Sequence, residues 1–185
     1  MIKNLVLHFN LVNKHRFKVF KLCCKAGIPF RGLVHDLSKY SPIEFFESVK
    51  YYEGSYSPIS NCKKENGYSK AWLHHKGRNK HHYEYWYDYN APEETPVIPY
   101  KYTVEMICDS LAAGMTYQKE KWTNEYQLGY YKNARKKARI NPVIDSILLE
   151  VYEAVAKEGI DNVINKKTLK KIYEKHVGDV NDKKY

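Results

Sequence analysis

The sequence predicts an all-α fold, and three observations support that prediction. Apolar residues recur at spacings of three and four along most of the chain, as Val12, Val19 and Leu22 do near its start. Alternating apolar and polar runs of the strand type are nearly absent. With 185 residues, of which 43% are hydrophobic and 15% aromatic, the chain is long enough for one domain with a sizeable core. We therefore expect a single helical domain over residues 1–185.

The first helix is expected over residues 4–24. Its apolar stripe begins at Leu5, and His8 and His15 occupy the two gaps in that stripe, so both imidazoles should point with the buried face. A single histidine on such a face is usually a packed core residue, and we favour a packed or ligand-supporting role for His8. His15 is of more interest because other polar residues on buried faces accompany it.

A second, short helix is expected over residues 31–40 (RGLVHDLSKY), after a Gly-Ile-Pro turn. Ser41 can cap the next helix, with Pro42 at its first position and Glu44 completing a capping box. This pattern predicts a third helix over 42–52.

The rest of the chain is also predicted to be helical, interrupted by loops rich in Gly, Pro, Ser and Asn. In order, we expect a loop over 53–68, a short helix from Ser69 into His74 and His75, a KGRN turn, a helical piece within HHYEYWYDY, a connector over 90–99, and helices over 100–118, 124–139, 142–157 and 167–176. The segment 118–185 has helical periodicity and many charges but no motif that suggests chemistry.

Polar residues with metal-binding side chains point inward from three separate helices. They are His15 on the first helix, His35 and Asp36 on the second, and Asp109 on the helix over 100–118. A buried carboxylate without a partner is costly, so the two acids require a cation or several hydrogen-bond donors. Imidazole and carboxylate together suit Mn, Fe, Ni, Zn or Mg rather than a thiolate site.

The segment WLHHKGRNKHHYEYW (72–86) contains four of the eight histidines of the chain, as two His-His pairs. Two interpretations compete. The segment is either a basic, aromatic surface that happens to be rich in histidine, or part of a metal site whose other ligands lie elsewhere.

The order of these residues resembles the signature of the HD-domain metal-dependent phosphohydrolase superfamily, which is all-helical. The matching pieces are His15, HDLSK at 35–39, an HH pair, and CDSLAA at 108–113. The resemblance implies an HD-like helical bundle, with a metal-binding core over 1–117 and additional C-terminal helices over 118–185. It also implies a first metal ion bound by His15, His35, Asp36 and Asp109. More closely, the runs RGLVHDLSKYSPIEFFESVKYYEGSYSP and AWLHHKGRNKHHYEYW are similar to a family of small uncharacterised proteins from Firmicutes and their phages, which implies almost nothing about function.

The His-His pairs resemble the pair that supplies ligands to a second ion in the two-metal branch of the superfamily. This likeness implies that one histidine of 74–75 and one of 81–82 bind a second metal, bridged to the first by Asp36. We favour His75 and His82, although the spacing does not separate neighbours. The remaining histidines, His74 and His81, would then face the substrate.

The resemblance implies a metal-dependent hydrolase of phosphate esters, either a phosphomonoesterase or a phosphodiesterase, with one or two divalent ions. Lys39, Arg78 and Lys80 would offset the charge of the phosphoryl group, and His74 or His81 would protonate the leaving oxygen. The net charge of +10 agrees with an anionic substrate such as a nucleotide. For each of the three basic residues, an ordinary surface position is the alternative.

Other functions remain open on the same residues. One is a di-iron oxygenase of the HD type, which would use the fuller histidine set. Another is a non-catalytic basic protein that binds a nucleotide or nucleic acid through the histidine-rich segment and the Lys-rich end. A phage or host setting would also allow sequestration or degradation of a nucleotide signal.

The cysteines at 23, 24, 62 and 108 form no CxxC pair, and no secretory signal precedes them, so we expect reduced thiols and a cytoplasmic protein. The N-terminal apolar run is interrupted by Asn, His, Lys and Arg every few residues. It is therefore neither a signal sequence nor a membrane span, and we expect no membrane partner. The sequence leaves the oligomeric state open.

Overall fold

The computed structural model describes residues 2–54 and 56–178, and within these ranges the fold is all-α, with no strand. The described helices are α1 (Ile2–Lys25), α2 (Pro29–Val34), α3 (Pro42–Lys50), α4 (Pro58–Asn66), α5 (Lys70–Lys76), α6 (Tyr100–Gln118), α7 (Asn124–Ala134), α8 (Pro142–Glu158), α9 (Ile160–Val163) and α10 (Lys166–Val177). None of them combines the length and the apolarity needed to cross a bilayer. The all-α prediction is confirmed.

Helix α6 lies at the centre of the packing. It packs against α1 on one side, and α8 packs against both α7 and α10. One cluster of buried apolar side chains joins these helices, with Leu22 of α1, Leu111 of α6, Val151 of α8 and Leu169 of α10 among its members. The core therefore draws on residues from both sides of position 118. Helix α6 also contributes Glu105 and Asp109 to a cluster of polar residues beside this core.

Helix α1 buries the stripe that its sequence predicts. His8 and His15 lie on its buried face together with Val12 and Val19. Leu5 is 36% exposed, so the stripe loses its first member. His8 packs between the rings of Phe45 and Tyr52; burial and the charge of Lys39 lower its pKa to about 4, so the ring is neutral.

The expected helix over 31–40 is wrong, because the chain breaks at the His-Asp pair. Helix α2 ends at Val34, Asp36 adopts the left-handed conformation with φ 55°, and a 3-10 turn follows over Leu37–Tyr40. Asp is among the few non-Gly residues that adopt this conformation readily. The break turns both His35 and Asp36 toward the interior, where both are 1% exposed.

The segment over α2 lies close against α1. A Cβ on Gly32 would lie 2.6 Å from Cys23 Cβ, so only glycine permits this approach. Arg16 of α1 donates hydrogen bonds to the carbonyl oxygens of Leu33 and His35, both at 2.8 Å. These contacts hold the segment that contains His35 and Asp36 against α1.

Two local predictions before residue 70 are also wrong. The Ser41 side chain makes no capping hydrogen bond, although Pro42 does begin α3. The loop expected over 53–68 contains α4, which the cluster of Gly, Pro and Ser residues had concealed. Ser69, by contrast, caps α5 as predicted and accepts a hydrogen bond from the Trp72 amide.

The later elements agree with the sequence except at their ends. The helix expected over 124–139 ends as α7 at Ala134 and continues only as a 3-10 turn. Helices α8 and α10 lie where the periodicity predicts them, and the short α9 between them was not predicted. Within HHYEYWYDY, the only described helical piece is the 3-10 turn Tyr83–Tyr85.

Candidate metal centre

Four of the predicted ligands converge from three parts of the fold. His15 comes from α1, His35 and Asp36 from the break after α2, and Asp109 from α6. One ligand atom from each of the four lies within 4.8 Å of the others, which would allow them to hold a metal ion. We call these four residues group one.

Three of the distances within group one match those between neighbouring ligands of a single ion, and the fourth, from His15 Nε2 to Asp36 Oδ2, is 3.8 Å. His15 Nε2 lies 3.0 Å from Asp109 Oδ1, and His35 Nε2 lies 3.3 Å from Asp36 Oδ2 and 3.4 Å from Asp109 Oδ1. When the metal–ligand bonds are about 2.0–2.1 Å, neighbouring donors are about 2.8–3.0 Å apart around an octahedral ion and about 3.3–3.4 Å apart around a tetrahedral ion.

A second set of ligands shares Asp36 with the first. Group two consists of Asp36, His75, His81 and His82, again with one ligand atom each within 4.8 Å of the others. The Nε2 atoms of His75 and His81 lie 3.3 and 3.4 Å from Asp36 Oδ1. Asp36 therefore presents Oδ2 to group one and Oδ1 to group two, as a bridging carboxylate would.

Most of these nitrogens have no hydrogen-bond partner. The buried Nε2 atoms without one are those of His15, His35, His81 and His82, and Asp36 Oδ1 also lacks one. Buried polar atoms in a folded protein almost always have a partner. Close approach without hydrogen-bond geometry is the arrangement expected where lone pairs point at a common ion, so the residues present fit a metal.

Glu105 hydrogen-bonds His35 and lies beside His81, on the side of both rings that faces away from the candidate metal. His35 Nδ1 donates a hydrogen bond to Glu105 Oε1 at 3.0 Å, and His81 Nδ1 lies 3.2 Å from the same oxygen. With Nδ1 protonated, Nε2 keeps its lone pair for a metal. Glu105 is fully buried and pairs with Arg31 at 2.6 Å, so it is not an ordinary surface residue.

Glu44 does the same for His75, and sequence reasoning missed it. Its Oε2 accepts a hydrogen bond from His75 Nδ1 at 2.7 Å, and its Oε1 accepts one from His74 Nδ1 at 2.6 Å. We had assigned Glu44 to a capping box with Ser41, and the same spacing concealed its position on the buried face of α3. The predicted capping role is wrong for both side chains.

The electrostatics of the cluster favour added positive charge. Burial alone would raise the pKa of Asp36, but His35, Lys39 and His75 hold it well below its usual value. Burial lowers the pKa of His35, but the charge of Asp36 and the hydrogen bonds to Asp109, Asp36 and Glu105 together raise it well above its usual value. Both directions favour ionised carboxylates and added positive charge in the centre.

His82 differs from the other members of group two. Burial, followed by the neighbouring His81 and His75, lowers its pKa well below the usual value. A neutral imidazole with a free Nε2 is the form that coordinates metals. Our choice of His82 over His81 as the ligand stays a prediction, because both lie in the group.

The three basic residues predicted to bind a substrate lie in two different settings. Lys39 Nζ is 2.6 Å from Asp36 Oδ2, and its side chain is 26% exposed, so it lies within the centre and reaches solvent. Burial opposes the charge on Lys39, but Asp36 and Asp109 raise its pKa above the usual value. Arg78 and Lys80 are both exposed, and Lys80 lies over the rings of Tyr85 and Tyr102.

The two histidines predicted to face the substrate differ in burial and in position relative to the candidate ligands. His81 is 1% exposed and lies among the candidate ligands. His74 lies in neither group; it is held by Glu44 at the edge of the centre and keeps 15% of its side chain exposed. Of the two, His74 has the access to solvent that proton transfer to a substrate requires.

Comparison with known proteins adds a family but no activity. No curated protein and no solved structure matches the chain. Residues 5–154, which contain every member of both groups, match the family described as Family of unknown function (DUF5662), and the chain belongs to that family.

Proposed function

We propose that this protein is a metal-dependent hydrolase of phosphate esters and that its centre holds two divalent ions. One observation carries the proposal: the two oxygens of Asp36 face two separate sets of imidazole nitrogens, most of which have no hydrogen-bond partner. A single buried carboxylate between two ligand sets is the arrangement expected of a bridge between two ions.

The ions would be held by His15, His35 and Asp109 on one side of Asp36, and by His75 with His81, His82 or both on the other. Nitrogen and oxygen ligands suit Mn, Fe, Ni or Zn, and Mg less well because of the many histidines. Such ions lower the pKa of a bound water toward neutrality and attract phosphate oxygens.

Lys39 is the residue of this chain best placed to bind the phosphoryl group. An ammonium group has three N–H donors, and the contact with Asp36 at 2.6 Å uses one of them. The others can donate to a phosphoryl oxygen from the partly exposed side of the residue. Arg78 and Lys80 supply further positive charge on the surface of the same histidine-rich segment.

His74 is our candidate for the proton donor. Its Nδ1 is bound to Glu44, which leaves Nε2 available to protonate the leaving oxygen. His81 was predicted as an alternative donor, but a role as a ligand agrees better with its burial and its 3.4 Å contact with Asp36. The net charge of +10 supports an anionic substrate of the nucleotide class.

A di-iron oxygenase is the second candidate, and the number of histidines favours it. Five imidazoles surround Asp36 and Asp109 in the two groups, and histidine with carboxylate is also an iron ligand set. The two functions predict different metals and different co-substrates.

The test combines metal content with activity. The protein is purified without chelator, its metals are measured by mass spectrometry, and hydrolysis of p-nitrophenyl phosphate, its bis-ester and a nucleotide panel is assayed with Mn, Ni, Co, Zn and Mg. Wild type should bind metal and hydrolyse at least one ester, and Asp36→Ala should do neither. The matched control is His176→Ala, a histidine bound to Glu150 on α10 and α8, which should behave as wild type.

Two results would contradict the proposal. Iron as the bound metal, with a mixed-valence signal and oxygen consumption but no ester hydrolysis, would favour the oxygenase. Absence of metal in wild type, with no uptake of any of these ions by the folded protein, would leave binding or packing as the role of the histidines.

A further inference from the structure

The N-terminal part of the chain exposes an unusual amount of apolar surface. Most of the large apolar side chains that are exposed within the described residues lie before residue 47; they are Ile2, Leu5, Val6, Leu7, Phe9, Phe17, Phe30, Leu33, Leu37, Ile43 and Phe46. Scattered exposed apolar residues are normal, but contiguous patches mark sites of interaction.

These side chains are contiguous on α1 and α2. At about 100° per residue, Ile2, Val6, Phe9 and Phe17 fall within an arc of about 80° on α1, away from the buried stripe of His8 and His15. We name the α1–α2 face for the residues exposed on these two helices and the following turn: Ile2, Val6, Phe9, Phe17, Phe30, Leu33 and Leu37.

Contacts between the two elements make this a single face. Arg16 of α1 donates hydrogen bonds to the Leu33 carbonyl oxygen at 2.8 Å and to the Tyr40 hydroxyl at 3.2 Å. The ring of Phe9 lies 5.9 Å from that of Tyr40. The 3-10 turn after α2 therefore runs alongside α1, and the apolar side chains of both elements border the same surface.

The exposed charged residues between positions 2 and 46 all have one sign. Lys3, Lys14 and Lys21 fall within an arc of about 20° that adjoins the apolar arc of α1. They are exposed and form no ion pair within the part of the chain that the structure describes. The acidic residues between positions 2 and 46 are Asp36 and Glu44, and both are buried.

This combination limits what can cover the face. A second copy would place the same face against itself in a symmetric dimer, so lysine would meet lysine without an acid to compensate. Nucleic acid would satisfy the lysines but would leave the exposed phenylalanine and leucine side chains without a partner. An anionic bilayer satisfies both, because apolar side chains enter the acyl boundary while lysines contact the headgroups.

We propose that the α1–α2 face docks this protein on the surface of an anionic lipid bilayer. We had expected no membrane partner because no segment could span a bilayer, and a helix that lies on the surface does not need to span it. The docking is independent of the proposed hydrolysis, since the metal ligands His15, His35 and Asp36 point to the inner side of the same elements.

Vesicle sedimentation tests this docking. The probes are vesicles of phosphatidylglycerol mixed equally with phosphatidylcholine, and vesicles of phosphatidylcholine alone. The wild-type protein should bind the first at least about 10-fold more tightly than the second, and added salt should weaken that binding.

Two variants distinguish the contribution of this face to binding from that of the net charge of the protein. Lys3→Glu with Lys14→Glu and Lys21→Glu should weaken binding by about 100-fold or more, because each lysine near an anionic surface contributes to binding. The matched control, Lys167→Glu with Lys170→Glu and Lys171→Glu, makes the same charge change on α10, where exposed lysines have no exposed large apolar neighbours on their helix. It should weaken binding by less than about 10-fold.

A third variant tests the apolar part. Val6→Ser with Phe9→Ser keeps the charge and should weaken binding by roughly 10-fold or more. Both side chains are exposed, so helicity and thermal unfolding should stay close to wild type; if this variant fails to fold, the lysine pair of variants still decides the matter.

Three outcomes would overturn the proposal. They are absence of binding to anionic vesicles, equal loss in the two lysine variants, and a concentration-dependent dimer in analytical ultracentrifugation that Val6→Ser with Phe9→Ser abolishes. The last would identify a second copy as the partner of this face. Metal content and ester hydrolysis are measured on the same variants and should not change.

Discussion

The candidate metal centre and the apolar layer beside it are built from the same helix but on opposite principles. On α6, Asp109 and Glu105 point into a cluster of histidines, while Leu111 and Ile107 point into apolar side chains of the core. Burial in the layer stabilises the fold, at roughly 25 cal/mol for each Å² of apolar surface removed from water. Burial of charge in the centre costs stability unless it is compensated.

This difference suggests what each region is for. A fold that needed only stability could replace the buried polar cluster by apolar residues of similar volume with little loss or even a gain. The cluster instead has a second layer of buried acids, Glu44 and Glu105, whose contacts orient the first. The apolar layer stabilises the fold. The cost of burying charge in the centre is offset by that stability, and the buried charges hold the candidate ligands in position.

The largest expected effect is that of Asp36→Asn. Asparagine has nearly the same shape but no charge and one oxygen, so neither group would keep its shared ligand. We expect metal content to fall close to zero, while the circular dichroism spectrum of the folded protein is retained. Mass spectrometry of the purified variant measures this, and metal retained at the wild-type ratio would show that Asp36 is not a bridge.

Next come His15→Ala and His75→Ala, which divide the centre into its two groups. Each removes one ligand from one side of Asp36, so each should remove about half of the bound metal if two ions are present. The same mass spectrometry on both variants, with His176→Ala as the control, tests the division. Complete loss in one variant and no loss in the other would indicate a single ion.

A substitution in the apolar layer should have the reverse signature. Ile147→Ala on α8 removes a side chain that is 1% exposed, and should lower the free energy of unfolding by roughly 2–5 kcal/mol. Urea titration measures the loss. Below the unfolding transition, metal content per folded chain should equal that of wild type, and a change in it would contradict the separation of the two regions.

The smallest expected effect is that of Glu105→Gln. The substitution keeps the size of the side chain but weakens its hold on His35 and removes its ion pair with Arg31. Metal affinity should fall by about 10–100-fold with the stoichiometry unchanged. Competition with a chelating dye measures this fall, and an unchanged affinity would mean that Glu105 serves only the packing of the centre.

Much of the fold could be predicted because helices in this chain carry strong periodic patterns. Helices α1, α6 and α8 follow from apolar spacing, and the start of α5 follows from the cap at Ser69. Helix α4 was missed because Gly, Pro and Ser on both sides of a short amphipathic segment resemble a loop. Its packing against α3 is a tertiary contact that the local pattern does not contain.

The candidate site was predicted in its residues more than in its arrangement. The sequence identified His15 and Asp109 as polar residues on apolar helix faces, since helical spacing is sufficient to determine which side of a helix a residue occupies. The resemblance to a known signature supplied the expectation that they bind a metal together. That all of them meet around Asp36 required the path of the chain between the helices.

By itself, then, the sequence determined the helical class, the positions of the long helices and the inward direction of the polar residues. Only the tertiary structure decided that the chain breaks at Asp36, that Glu44 holds histidines instead of a helix end, and that His81 lies among the ligands. The physical reason is the separation along the sequence over which each effect acts. Helical periodicity acts over a few neighbouring residues, whereas a ligand set and its supporting acids form between residues up to about a hundred positions apart, where only the packed fold sets distances.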